Sequence, residues 1–277
     1  MTSQTSLTTE LGGESVYQGL NASLSELPKL ISAQPEPSLY HDSTHQLFYL
    51  QTEQGAKVLK RLNRQALHQP FWANVKALFG LDLRHHLHHQ AWWSQQLTQL
   101  SRLGFPTIEQ LANPNEALDG FVLMTFLSGE RGEAKKVGQT HIEQLAQHLK
   151  TLQQTRFDHW GVWCASSSSN YGLPTWSKTL SEQLEKWLET TNHQAWWSAV
   201  EQAKNIEVDY AVPTMLDLRW DQFLFDQNGI SALVDLDAFV LAPPELTWVI
   251  LEYLLDEHQA WWLAQAFDQV PDLSRVR

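Results

Sequence analysis

Residues 212–243 read VPTMLDLRWDQFLFDQNGISALVDLDAFVLAP, and the reading of this stretch decides the fold. Phe223 to Phe225 and Ile230 to Val234 are two short apolar runs with Asn228-Gly229 between them. Asn-Gly is a strong hairpin signal, because a type I′ turn needs φ > 0 at both central residues. With those two residues in the turn, Gln227 faces Ile230 and, continuing outward, Gln222 faces Asp235. Directly opposed hairpin residues lie about 5 Å apart at Cβ. An amide carbonyl and a carboxylate at that separation can share a hard cation such as Mg²⁺, which prefers oxygen ligands. Asp217, five residues before Gln222, then stands in the loop entering the hairpin. A carboxylate there can accept a proton from an attacking hydroxyl.

The segment resembles the catalytic segment of the protein-kinase-like superfamily, above all its aminoglycoside-phosphotransferase and lipopolysaccharide-core kinase families. Those carry a His-Gly-Asp-Leu-x-x-x-Asn run, a hairpin, and then an apolar-apolar-Asp. Here Met215-Leu216-Asp217-Leu218-Arg219-Trp220-Asp221-Gln222 matches the first part and Val234-Asp235-Leu236-Asp237 the second. The resemblance implies that Asp217 is the catalytic base, Asp235 the main metal ligand, and Gln222 the replacement for the metal-binding Asn. On the same resemblance, Asp237 is expected to hold a second metal or to brace the loop. Met215 departs from the family pattern by standing where His orients the loop.

The same resemblance organises the rest of the chain. Gln46–Gln51 and Ala56–Leu62 read as two strands around Thr52-Glu53-Gln54-Gly55, a second hairpin. Its second strand carries Val58-Leu59-Lys60, and the resemblance makes Lys60 the holder of the ATP phosphates, covered by a loop at His41–His45. Read alone, Lys60 is equally a solvated lysine on an edge strand. Apolar residues at helical spacing predict helices through residues 63–103, closed by Gly104-Phe105-Pro106. The family's helix Glu that pairs with the strand Lys is missing: Trp93 or a neighbour stands in its place, and no acidic residue occurs between Asp82 and Glu109. Gly120–Gly129 reads as a strand, and the resemblance makes Met124, Thr125, Phe126 and Leu127 a hinge whose backbone meets adenine. Amphipathic helices are predicted at Thr140–Gln153, Thr175–Thr190, His193–Ala203, Glu245–Asp256 and His258–Phe267.

The expected fold is α+β and bilobal, protein-kinase-like: a lead-in over 1–38 with a weak helical patch near Leu20–Leu30, a β-rich ATP-binding lobe over 39–128, and a mostly helical catalytic and acceptor-binding lobe over 129–277. The length suffices for a core of that size. A net charge of −12 argues against nucleic-acid partners, which need basic surface. The single Cys164 excludes an intrachain disulfide and fits a reducing, cytoplasmic compartment. The polar amino-terminal stretch is no secretory signal, and Leu246–Leu255, interrupted by Glu252, is too short to span a bilayer.

His85, His86, His88 and His89 are read as a solvated helical face, the alternative being a metal pair at His85 and His89. His-Gln-Ala-Trp-Trp occurs at His89, His193 and His258, at unequal spacing, and reads as aromatic packing. Cys164 and the Ser166–Ser169 run carry no chemistry. No Gly-x-x-x-x-Gly-Lys, Gly-x-Gly-x-x-Gly or Gly-x-Ser-x-Gly competes.

The expected activity is ATP- and Mg²⁺-dependent phosphorylation of a hydroxyl on a small or sugar-containing acceptor. The alternative is a non-catalytic relative that binds nucleotide, lipid-linked sugar or a partner protein through a tryptophan-rich surface. A protein kinase ranks lower, since the His-Arg-Asp pattern is absent and no activation loop fits between Asp237 and Pro243.

Overall fold

In the computed structural model, residues 16–38, 40, 43–65, 68–163, 170–191 and 196–267 are described. Cys164, Ser166–Ser169, His193, and His41 and Asp42 of the anticipated phosphate loop lie outside them. The chain divides into two compact units, the first comprising residues 1–73, 82–91 and 106–126, the second 74–81, 92–105 and 127–277.

The first unit is built on an antiparallel sheet of β1 (Leu30–Pro35), β2 (His45–Thr52), β3 (Gly55–Leu62), β4 (Ile108–Ala112) and β5 (Phe121–Thr125), in the order β1-β2-β3-β5-β4. The β2–β3 turn closes with Thr52 opposite Gly55. Gly55 adopts φ +101°, a conformation that disfavours any side chain. The Thr52 hydroxyl caps the turn, accepting from Gln54 N–H at 3.1 Å and donating to Gly55 O at 2.8 Å.

Residues 16–35 correct the expected lead-in. The patch near Leu20–Leu30 forms turns, not a helix, and β1 extends the sheet. Val16, Tyr17, Leu20 and Leu27 are buried in one core with Phe48, Leu50, Leu59, Phe121 and Leu123. The backbone is pinned there by Asn21 N–H on Asp119 O (2.9 Å) and Asp119 N–H on Gly19 O (2.8 Å). Scattered apolar residues interrupted by Gly19 and Pro28 cannot sustain a helical stripe, yet they still contribute their burial. Since Leu59 belongs to this core and side chains alternate along a strand, Lys60 projects to the opposite face of the sheet. Lys60 is 5% exposed, so the solvated edge-strand reading does not hold.

The expected continuous helical stretch is three helices, α1 (Pro70–Phe79), α2 (Leu83–His86) and α3 (His88–Leu100). The histidine cluster straddles the break between the last two. Only His85 is well exposed, with its side chain at 73%. His86 Nδ1 contacts Asp82 O at 3.0 Å, and His89 is fully buried with Nδ1 on His86 O. The cluster is therefore not a solvated face, and among the described residues no group of three His, Cys, Asp or Glu side chains is placed to hold a metal ion.

Among the described residues, the second unit combines the later parts of α1 and α3 and the helices that follow them with two small sheets. One sheet orders β6 (Glu130–Arg131), β10 (Phe223–Asp226) and β11 (Gly229–Leu233) as β11-β10-β6. The other orders β7 (His159–Gly161), β8 (Asn170–Gly172), β9 (Val212–Met215) and β12 (Phe239–Ala242) as β8-β7-β12-β9. The helices are α4 (Gln139–Gln154), α5 (Trp176–Thr191), α6 (Trp197–Ala203), α7 (Pro244–Leu254) and α8 (Glu257–Ala266). Fully buried Trp93 packs on Phe239 at 5.0 Å between ring centroids, and Trp160 meets Trp176 edge-on at 5.0 Å. The repeated Trp pairs thus have unlike fates: Trp93 is core, whereas Trp196, Trp197 and Trp261 are 59%, 41% and 60% exposed. Among the described residues no helix is long and apolar enough to cross a membrane.

His148 on α4 is buried, and its ring Nδ1 lies 2.8 Å from Ser101 Oγ. Burial pushes its pKa down to about 4. The unfolded chain therefore binds a proton that the folded chain refuses between about pH 6.5 and 4. Thermal melts should lose stability as pH falls through that window, and His148→Gln should flatten the loss.

Candidate active site

Strand β9 is buried throughout and pairs with β12, Met215 opposite Phe239 and Thr214 opposite Val240. This rigid pair positions the chemistry, because the chain leaves β9 at Leu216 and re-enters β12 from Ala238. Leu216 N–H donates to Ala238 O at 2.9 Å. The loop bearing Asp217 is thereby stitched to the loop bearing Asp237, one residue from each.

A 3₁₀ turn at Trp220–Gln222 leads into β10. The hairpin that follows exists, but its register differs from expectation. Phe223 opposes Leu233, Leu224 opposes Ala232, Phe225 opposes Ile230 and Asp226 opposes Gly229. The turn is therefore centred on Gln227-Asn228, not Asn228-Gly229, and Ser231 is an extra residue in β11. Gln222 pairs with Val234, whose N–H donates to Gln222 O at 2.9 Å, and not with Asp235.

Two contacts outside the hairpin explain the shift. The Ser231 carbonyl is turned aside to accept Gly104 N–H at 2.8 Å. Gln144 of α4 clasps the turn, donating from Nε2 to Asn228 O at 2.9 Å and accepting Ile230 N–H on Oε1 at 2.7 Å. Gly229 has φ +113°, and a Cβ there would lie 2.2 Å from Gln144 Oε1. Gln144→Ala should cost roughly 1–2 kcal/mol, the scale of two lost hydrogen bonds, measurable by chemical denaturation.

Asp217 is held on both carboxylate oxygens. Arg219 Nη1 donates to Oδ1 at 2.9 Å and Gln222 Nε2 to Oδ2 at 3.2 Å. Arg219 also reaches Asp221 Oδ1 from Nε at 3.2 Å. Gln222, 3% exposed, accepts the Arg219 backbone N–H on Oε1 at 3.3 Å. Met215 is buried packing and has no polar atom to orient the loop; Arg219 and Gln222 fix the carboxylate instead.

Burial raises the Asp217 pKa to about 6, Arg219 opposes the rise, and the charges of Asp235, Asp221 and Asp237 add to it. Arg219 joins Asp217 to Asp221, and the bond from Leu216 N–H to Ala238 O ties their loop to the one that bears Asp235 and Asp237. Asp237 is 4% exposed and donates its N–H to Asp235 Oδ1 at 3.3 Å.

The structure thus places Asp217 in contact with Gln222, and Asp235 with Asp237, on tied loops of the second unit, while Lys60, Met124 and Thr125 lie in the sheet of the first and Phe126 follows its last strand. In that sheet Lys60 opposes Val122, and Met124 lies between Val58 and Ile108. Thr125 N–H is spent on Thr107 O (3.0 Å) and Phe126 N–H on Ala56 O (3.3 Å). Both of these N–H groups of the anticipated hinge are thus engaged by backbone carbonyls.

Two pairings escaped the sequence reading. Lys57, 8% exposed, pairs with Glu109 across the sheet, although the charges are fifty-two positions apart and only the strand order β3-β5-β4 joins them. Arg219 was visible as a basic residue two positions after Asp217, and that spacing was the signal available for its role.

No family model and no curated protein matches the sequence. Solved structures do match. A fructosamine-3-kinase from Haemophilus somnus is 13% identical, with 92% of this chain and 85% of that one covered, at a TM-score of 0.61. An aminoglycoside phosphotransferase, APH(2'')-IIIa, solved with GDP and kanamycin, is 11% identical over 91% of this chain and 82% of that one, at 0.59. A spectinomycin phosphotransferase in complex with ADP and spectinomycin is 12% identical over 89% and 77%, at 0.54. At these identities the likeness is one of fold.

Proposed function

We propose, from the premise that this chain has the fold of the kinase-like phosphotransferases, that it transfers the γ-phosphoryl group of ATP to a hydroxyl of a small or sugar-containing acceptor. The observation that carries the proposal is Asp217: a carboxylate at the end of a rigid strand pair, oriented on both oxygens, with a pKa raised to about 6. A base poised near neutrality suits proton removal from an alcohol.

In the proposed step the acceptor oxygen attacks the γ-phosphorus as its proton passes to Asp217. The bond from that phosphorus to the β–γ bridging oxygen breaks, and ADP leaves. Asp235 and Asp237 offer hard carboxylate oxygens beside Asp217. Mg²⁺ uses one or two protein carboxylates when phosphates supply the remaining oxygens, so this donor set fits the ion without a three-acid cage. When bound, Mg²⁺ neutralises charge on the transferring phosphate. Lys60, buried on the sheet, is assigned to the nucleotide phosphates. With ATP as the proposed donor and a single cysteine in the chain, a reducing, cytoplasmic setting is part of the same proposal.

The test is turnover of ATP against a panel of amino sugars, neutral sugars and amino alcohols, beside thermal shift with nucleotide in the presence and absence of Mg²⁺. Mg²⁺-dependent stabilisation together with product formation supports the proposal. Exposed Trp187, Trp196, Trp197, Tyr253 and Trp261 favour the second reading, a non-catalytic binding protein. Absence of any nucleotide effect in the same assay would select it.

A further inference from the structure

We infer that Gln222 is a positioning residue for Asp217 and not a ligand of the metal; the inference rests on the phosphotransferase reading of this site. Three observations carry it. The amide is 97% removed from solvent and has one chemically sensible orientation. A carboxylate oxygen at 3.2 Å demands the NH₂ group, and the Arg219 backbone N–H at 3.3 Å demands the carbonyl. Turning the amide over would set oxygen against oxygen and donor against donor. Moving the carbonyl to a cation would in turn take an acceptor away from a backbone N–H, which is costly where water is excluded.

The second observation is register. Gln222 pairs with Val234 through its backbone, so it does not stand opposite Asp235 in the way a shared cation would require. The third is reach. Gln222 spans from the end of the 3₁₀ turn before β10 back to the loop of Asp217, five residues earlier, and completes a grip whose other half is Arg219 at 2.9 Å. Asparagine, one methylene shorter, reaches less far from the same backbone position.

Three measurements test this. Without nucleotide, melting temperatures of Asp217→Asn, Gln222→Met and the double variant should be non-additive, since the side chains touch; additive shifts overturn the brace. With a non-hydrolysable ATP analogue, Mn²⁺ binding followed by electron paramagnetic resonance should change by less than about threefold in Gln222→Met, which has no carbonyl to offer a cation; a larger loss shows that Gln222 is a ligand. In turnover, Gln222→Asn should lower kcat by about tenfold or more, with KM for ATP within about threefold; an unchanged kcat overturns the positioning role. If the parent protein turns over no acceptor, the phosphotransferase reading fails, and the first two measurements still decide what Gln222 does.

Discussion

Asp217→Asn is expected to lower kcat by about 10²- to 10⁴-fold, the contribution of a general base, while nucleotide affinity stays within about threefold. Asparagine keeps the shape and the oxygen facing Arg219 but cannot take a proton, and its NH₂ meets the Gln222 NH₂ as donor against donor, a cost that the relief of the buried charge has to exceed. The parent protein should show an acid limb in kcat/KM near pH 6, activity rising as Asp217 ionises, and the variant should lack it. The same substitution should raise thermal stability at neutral pH. The folded pKa lies above the ordinary carboxylate value, so the group's stabilising contribution is complete below about pH 4 and is lost as pH rises through 6. A neutral amide escapes that loss. A variant both inactive and more heat-resistant identifies a residue kept for chemistry at a cost in stability. A variant that keeps its activity ends the assignment.

Asp235→Ala is expected to remove the Mg²⁺ dependence of nucleotide binding and to lower turnover by 100-fold or more. Loss of charge stabilisation at a transferring phosphate is commonly worth factors of that order. The thermal-shift difference between ATP alone and ATP with Mg²⁺ should vanish, and the Asp217 limb should move to lower pH, because one of the charges opposing its ionisation is gone. An intact Mg²⁺ response in this variant would transfer the metal to other residues. Asp237→Ala is the natural comparison. Its side chain is almost wholly buried and its backbone N–H is bonded to Asp235, so loss of folding there would mark a brace, whereas Asp235, partly accessible, should fold unchanged.

Residues 215–237 made the fold legible because their features are local: an acid after a buried strand, an amide five positions on, a turn, and an apolar-apolar-Asp. Local patterns survive in a single sequence. The register did not, because it is set by Gly104 and Gln144, more than eighty residues away from the turn they grip. An Asn-Gly pair states that the chain reverses; which residues occupy the apex depended on a helix that the hairpin had yet to meet. The place of residues 16–35 was hidden for a similar reason. Val16, Leu20 and Leu27 show no period, since each fills a separate gap over a sheet and does not line one side of a helix. Lys57 and Glu109 were unremarkable apart and informative only as a pair. Helices α4, α5, α7 and α8, by contrast, fell within two residues of their predicted ends, as expected for amphipathic segments with a long repeat.

That covering of β2, β3 and β5 by Val16, Tyr17, Leu20 and Leu27 has a practical bearing on how the protein is handled. The stretch would pass for a dispensable leader in any alignment-guided trimming, yet removing it would uncover Phe48, Leu50 and Leu59 as one greasy plate behind Lys60. Affinity handles belong ahead of residue 16, and cuts belong nowhere between there and the first hairpin.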